Sequence, residues 1–316
     1  MSEPTSLRHD ADGSELPRPF IGHFLVDRWN RFWFQPEHPE PLAAFRILYG
    51  IYLLCYFGSF ATKVIVVFSN QGVVQPWLLP DWAIPSAALA VSLYSLLLVL
   101  ILLFILGCTT LLVTPLLLLL YLYFFLLNLA VRDTAFDRLN LIFLAVSCFA
   151  HLDAAWALAP TFAKPSERRM VNSWAARMIR LQLCFLYFGA GLWKLNSPQW
   201  HESQMMYWTL VGQWATPLSF WFGHLGLPLW FYGFLGWSVI AFELIAPFTL
   251  HFRPTLKATI VVGTLFHLGI ASFLSIPEFL NCVAVYVLFW PAEELGALGD
   301  RIVRATVNPP ASSSPG

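Results

Sequence analysis

Charge is what this sequence has least of. Only 11% of its 316 residues are Asp, Glu, Lys or Arg, 18 acidic and 18 basic, where a soluble domain carries about 25%. With 58% hydrophobic residues and a mean hydropathy of +0.65, that scarcity excludes an ordinary soluble fold. The net charge of zero excludes the basic footprint of a nucleic-acid binder. Lysine is scarcest, with only Lys63, Lys164, Lys194 and Lys257, and segments 69–83 and 196–227 hold neither Lys nor Arg. The five cysteines (Cys55, Cys108, Cys148, Cys184, Cys282) form no Cys-x-x-Cys pair. Metal-ligand and redox spacings are therefore absent, and the cysteines read as small core residues. No Gly-rich phosphate loop, Gly-x-Ser-x-Gly or His-Glu-x-x-His occurs, so those nucleotide, hydrolase and metalloprotease chemistries have no residues here. The first 19 residues are polar and lack the apolar core of a signal peptide.

What fills the chain instead is long apolar runs. A membrane-crossing helix needs about 20 mostly apolar residues, and runs of that kind lie at 42–68, 84–107, 111–131, 139–159, 175–195, 228–250, 256–275 and 277–292. The expected fold class is an all-α polytopic membrane protein of about eight transmembrane helices, embedded in the lipid bilayer. Residues 20–34 put Ile21, Phe24, Leu25, Trp29, Phe32 and Trp33 on one side and Asp27, Asn30 and Arg31 on the other. They predict an N-terminal amphipathic helix lying in the interface. Residues 197–227, with Trp200, Trp208, Trp214 and Trp221, predict an aromatic segment on the outer leaflet. The organisation expected is a tail with the interfacial helix (1–38), a transmembrane domain (39–292) and a C-terminal tail (293–316).

Orientation follows from where Lys and Arg collect. Arg8, Arg18, Arg28 and Arg31 mark the N-terminal tail. Lys164, Arg168, Arg169, Arg177 and Arg180 mark one loop, Arg253 and Lys257 another, and Arg301 and Arg304 the C-terminal tail. Both termini are expected in the cytoplasm, with the chain integral to the cytoplasmic (inner) membrane. Arg132 and Arg138 would then face outward, against the trend.

Ionisable groups inside apolar runs cost at least about 2.5–3.5 kcal/mol to insert and are functional candidates. Lys194 ends the fifth run, one turn past Ala190 and Gly191 and two past Tyr187, on one helix face. It reads either as a base, if desolvated, or as an anchor reaching the headgroups at the outer end of its span. The small residues admit a second helix or a flat ligand. Glu243, Pro247 and His251 share a face of the sixth run. Pro247 removes the hydrogen bond to the carbonyl of residue 243, which shapes a cavity or leaves a kinked helix whose Glu pairs with a polar neighbour. His267 lies mid-way along the seventh run, about 9 Å from Glu243 in depth at 1.5 Å per residue. Arg46, four residues into the first run, reads as a boundary anchor. His151 and Asp153 are too few ligands for a metal. Matching broken helices in two halves, the mark of many transporters, are not evident.

The stretch YFGAGLWKLNSPQW (187–200) resembles the region around the active-site lysine of vitamin K-dependent γ-carboxylases. Those enzymes share their membrane region with the bacterial HTTM (horizontally transferred transmembrane) family. The shared pattern is Tyr187, Ala190-Gly191, Lys194-Leu195 and Trp200. PEPLAAFRILYGIYLL (39–54) is similar to the family's first span, and residues 242–273 to its acidic helix followed by a Phe-His span. The departures are FDRLN (136–140), where those carboxylases carry Asn-His, WALAP (156–160) for a Trp-Ser-x-Asp end, and Leu268-Gly269 for polar residues. The long lumenal domain of the animal enzymes has no counterpart in residues 293–316.

The resemblance implies a quinol-dependent membrane enzyme. In it, Lys194 is the base and His267 orients or stabilises an oxygen, while Tyr187, Gly191, Trp193 and Glu243 surround the cofactor. The cofactor would be a vitamin K or menaquinol hydroquinone, with oxygen and carbon dioxide as co-substrates. A protein or peptide substrate would be met on the outer side. The alternatives are a membrane scaffold or a processing or export partner without activity, and, less favoured, a small-molecule carrier using Glu243 and His267.

Overall fold

In lipid every backbone N–H and C=O must find its partner within the segment, so long apolar runs become helices. The computed structural model describes residues 21–76, 78–129, 135–159 and 170–307, without the side chains of 21–23 and 302–307. Of the orientation residues, Arg8, Arg18, Arg132, Lys164, Arg168, Arg169 and the side chain of Arg304 lie outside that set.

The helices are α1 (Ile21–Phe34), α2 (Glu40–Gly58), α3 (Val64–Phe68), α4 (Ala87–Leu106), α5 (Thr110–Leu127) and α6 (Ala135–Ser147). They continue with α7 (Trp174–Leu195), α8 (Pro198–His201), α9 (Gln204–Val211), α10 (Pro217–Gly223) and α11 (Leu229–Thr249). The last are α12 (Arg253–Phe273), α13 (Asn281–Tyr286) and α14 (Ala292–Val307). Two residue pairs, Pro36–Glu37 and Val171–Asn172, join antiparallel and tie the chain after α1 to the chain before α7. The protein is an all-α membrane protein. Among the described residues five helices (α2, α4, α5, α11, α12) are long and apolar enough to cross a membrane, and a bent pair spanning 277–301 makes six.

The difference from about eight runs has physical causes. α7 has 22 residues but carries Arg177, Arg180 and Lys194, which lower its hydropathy. The last run is broken into a 3-10 turn at 277–280, α13 and a second 3-10 turn at 287–289. It then bends by 98° into α14. The fourth run, expected over 139–159, is helical only to Ser147. Beyond it the chain is irregular, and Trp156 adopts a left-handed φ of 49°.

Arg46 explains that irregular stretch. It is fully buried and donates to the carbonyls of Leu152 (2.7 Å), Ala155 (3.3 Å) and Trp156 (2.5 Å). It is a clamp on carbonyls that no helix satisfies, not the boundary anchor its position predicts. Gly107, closing α4 at φ 70°, makes room: a Cβ there would lie 2.5 Å from the guanidinium.

Two packing centres result. In the first, Tyr49, Tyr52 and Tyr56 stack along α2 with centroids 5.9 Å apart at each step. The side-chain amide of buried Asn140 donates to the hydroxyls of Tyr52 (3.1 Å) and Tyr121 (3.0 Å) and accepts from Asn281 (3.1 Å). Asp137 accepts from the hydroxyls of Tyr56 and Tyr121, both at 2.8 Å.

The second centre is α7 against α11. The Cys184 thiol lies 3.9 Å from the Pro247 carbonyl, and Gly191 faces Glu243 and Leu244, so the two helices run antiparallel. α7 therefore stops beside the middle of α11. Residues 198–211 then pack across the Leu229 half of α11. His201 stacks on Trp237 at 5.3 Å, Tyr207 meets Tyr232 at 5.4 Å and Ser203 lies against Gly233. Residues 214–216 reach the end of α12: Ser275 N–H donates to the Trp214 carbonyl at 2.7 Å and Thr216 N–H to that of Phe273 at 3.1 Å.

Candidate functional site

α7 ends at Lys194-Leu195 because Asn196, Ser197 and Pro198 follow, and proline disfavours helix in the residue before it. A lysine in that last turn sits at the negative end of the helix dipole. Its side chain leans back along α7 toward Glu243. At 1.5 Å per residue, Glu243 lies about 21 Å from the Leu229 end of α11 and about 9 Å from its Thr249 end.

The Lys194 ammonium nitrogen is 2.7 Å from each oxygen of the Glu243 carboxylate. The two side chains are 14% and 9% exposed. Trp200 closes one side, its ring centroid 5.1 Å from the amine. Isolated burial of either charge is prohibitive, but each supplies the other's counter-charge and hydrogen bonds. Gly191 permits this: a Cβ there would stand 2.9 Å from Leu244 and 3.2 Å from the Glu243 Cβ. The close approach that Gly191 allows is thus that of a helix.

About two turns back along α7, the buried Tyr187 hydroxyl bonds His267 Nε2 at 2.6 Å and the Tyr286 hydroxyl at 2.5 Å. The His267 ring is stacked between Tyr187 (5.8 Å) and Phe279 (6.0 Å). Its Nδ1 is buried with no hydrogen-bond partner among the described residues. Phe242, the neighbour of Glu243, meets Tyr187 edge-on at 5.7 Å and Phe266 at 4.9 Å, linking the ion pair to the Tyr187–His267 chain.

The sequence-expected residues thus divide. Lys194, Glu243, Gly191, Tyr187 and His267 lie on the facing sides of α7, α11 and α12. Trp193 is 65% exposed on the outside of the bundle. Tyr286 and Trp200 complete the site. Trp200 belongs to the lysine motif, whereas Tyr286 has no local signal beyond a hydroxyl in an apolar run. His251 turns to the Pro247 carbonyl at 2.8 Å. No group of three or more His, Cys, Asp or Glu able to hold a metal exists among the described residues.

Two cavities flank this chain of groups. One, of about 400 Å³, is lined by Met206, Thr209 and Leu210 of α9, by Val239 and Phe242 on α11, and by Phe266 and Gly269 on α12. It is almost wholly apolar and abuts the neighbours of Glu243 and His267. The other, of about 650 Å³, is bounded by Tyr56, Asp137, Trp214, Glu278 and Phe279, the last being the ring that stacks on His267. Lys194 lines neither.

Comparison with known proteins gives one finding. The HTTM domain profile matches residues 34–293. No curated protein and no solved structure matches the chain. The matched stretch runs from the end of α1 to the start of α14 and takes in every residue of the site, so the chain belongs to the HTTM domain family.

Proposed function

We propose that this HTTM protein is a quinol-binding enzyme of the inner membrane, with both termini in the cytoplasm, that takes a proton from a hydroquinone hydroxyl at the Lys194–Glu243 pair. The observation that carries this reading is the amine held 2.7 Å from both carboxylate oxygens inside an apolar bundle. Orientation rests on the arginines of α1 and the start of α7 and on the basic residues Arg253, Lys257 and Arg301. The exposed Phe24, Leu25, Trp29 and Phe32 support α1 lying in the interface.

The residues beside the pair suit such a ligand. The 400 Å³ cavity falls within the size range of small-molecule pockets, about 300–1,000 Å³. Phe242 and Phe266 offer ring faces for a flat apolar head. A hydroquinone supplies an acidic hydroxyl and, on oxidation, two electrons.

Proton uptake belongs to the pair as a unit. If the pair is an ammonium and a carboxylate, the proton goes to Glu243. If it is a neutral amine and a carboxylic acid, the proton goes to Lys194. Both routes end at the same ammonium and carboxylic acid. The base role of Lys194 is therefore shared with Glu243. Tyr187 and His267 hold a hydrogen-bonded chain behind Phe242 that orients a substrate oxygen. Oxygen, carbon dioxide and an outer protein or peptide substrate are what the γ-carboxylase resemblance adds.

A second reading is a scaffold or processing or export partner without chemistry. The closure of the pair favours it: the amine is bonded to both oxygens, and Gly191 leaves no gap between α7 and α11. Titration of menaquinol against tryptophan fluorescence separates the two. The enzyme reading expects saturable quenching in the wild type that weakens, or changes its pH dependence, in Lys194→Ala and Glu243→Gln. Absence of saturable quenching in all three proteins leaves the scaffold reading.

A further inference from the structure

A second site lies at the other end of α7, where α1 crosses its first turns. A groove of about 510 Å³ there is lined by Phe24, Arg28, Arg31, Phe32, Gln35 and Arg177. Its charge is unbalanced among the described residues. Arg177 and Arg180 both donate to Glu37, at 2.8 and 3.2 Å, which uses that carboxylate fully. Arg31 reaches the Asp27 backbone carbonyl at 3.3 Å. The groove's lining holds three arginines (28, 31, 177) and no acid, and the one carboxylate bonded nearby, Glu37, is shared by Arg177 and Arg180, so positive charge is in surplus.

The guanidinium of Arg28 lies over the Phe24 ring at 5.4 Å and that of Arg177 over Phe32 at 4.9 Å. Stacking engages the flat face of a guanidinium and leaves the N–H edge of Arg28 for an anion, that of Arg177 being already on Glu37. That edge matches a phosphate, which it binds in two-pronged fashion.

The surroundings say which phosphate. Phe24, Leu25, Trp29 and Phe32 are 46–62% exposed on the same helix. That apolar surface, next to arginines, fits acyl chains attached to the phosphate. The positive surplus favours a head group without its own cation.

We propose that the α1–α7 groove binds the phosphate of an anionic phospholipid, with the acyl chains laid along the exposed face of α1. The site is built from two segments about 150 residues apart in the chain, joined by the Glu37 ion pairs, and it is distinct from the Lys194–Glu243 centre.

The test is native mass spectrometry of the full chain, released from micelles carrying phosphatidylglycerol or phosphatidylcholine. The wild type is expected to retain phosphatidylglycerol at least tenfold over phosphatidylcholine. The double variant Arg28→Gln, Arg31→Gln is expected to lose that preference, and Arg253→Gln, at the start of α12 and outside the groove's lining, to keep it. Both altered arginines are exposed, and a thermal melt matching wild type certifies the fold. Arg177 is left intact because it also holds Glu37. Equal retention of the two lipids by wild type overturns the proposal. So does an unchanged preference in the double variant, or displacement of the lipid by millimolar inorganic phosphate, which would make this a free-anion site.

Discussion

Lys194 and Glu243 stand 49 residues apart in the chain and meet with both carboxylate oxygens 2.7 Å from the amine. Their bond joins the end of α7 to the body of α11. Removing one partner strands a nearly buried charge, at a cost of roughly 3–5 kcal/mol, whereas removing both costs far less. Glu243→Gln and Lys194→Met are each expected to lower the melting temperature sharply. The double variant should recover part of that loss. Strictly additive shifts in a double-mutant cycle would contradict the pairing.

Gly191 fixes the distance between the same two helices. Gly191→Val is expected to destabilise by about 1–3 kcal/mol through overpacking against Leu244. Adding Leu244→Ala should restore much of it, because the clash is with the end of that side chain. A Gly191→Val protein that melts like wild type would show that α7 and α11 are not in close approach.

Arg46 serves three carbonyls of the 152–156 stretch. Arg46→Met leaves those acceptors buried and unmade, each worth about 1–3 kcal/mol. Limited proteolysis should then open new cuts near residues 150–159. Arg46→Lys, a point charge without the planar fork, should give an intermediate pattern. Unchanged protection in Arg46→Met would rule out the clamp.

Tyr187 donates or accepts two buried bonds, to His267 and Tyr286. Tyr187→Phe is expected to cost about 1–3 kcal/mol by leaving both partners unsatisfied. His267→Phe in that background should add little, since the bond it breaks is already gone. A large additional loss would mean that His267 is held by something other than Tyr187.

The elements and the odd residues were legible for different reasons. α11 and α12 fall close to the runs at 228–250 and 256–275 because hydropathy alone sets them. Lys194, Glu243 and His267 stand out because a charge or imidazole in an apolar run is itself the signal. The pairing of Lys194 with Glu243 was not legible, since it depends on the register of two helices, and neither residue's neighbours encode its partner. HLDAAWALA (151–159) reads as helix by composition. It is irregular because Arg46, a hundred residues earlier, draws its carbonyls inward. The end of α7 was legible by contrast: the run at 175–195 stops where Asn196-Ser197-Pro198 begins, and the helix covers Trp174–Leu195.

The Lys194–Glu243 bond also imposes an order in time. A ribosome releases residues 174–195, with Arg177, Arg180 and Lys194, well before residue 243 exists. On hydropathy that segment falls short of the five helices that qualify alone. Its lysine gains a counter-charge only when α11 arrives, so stable insertion of α7 is expected to follow the synthesis of α11.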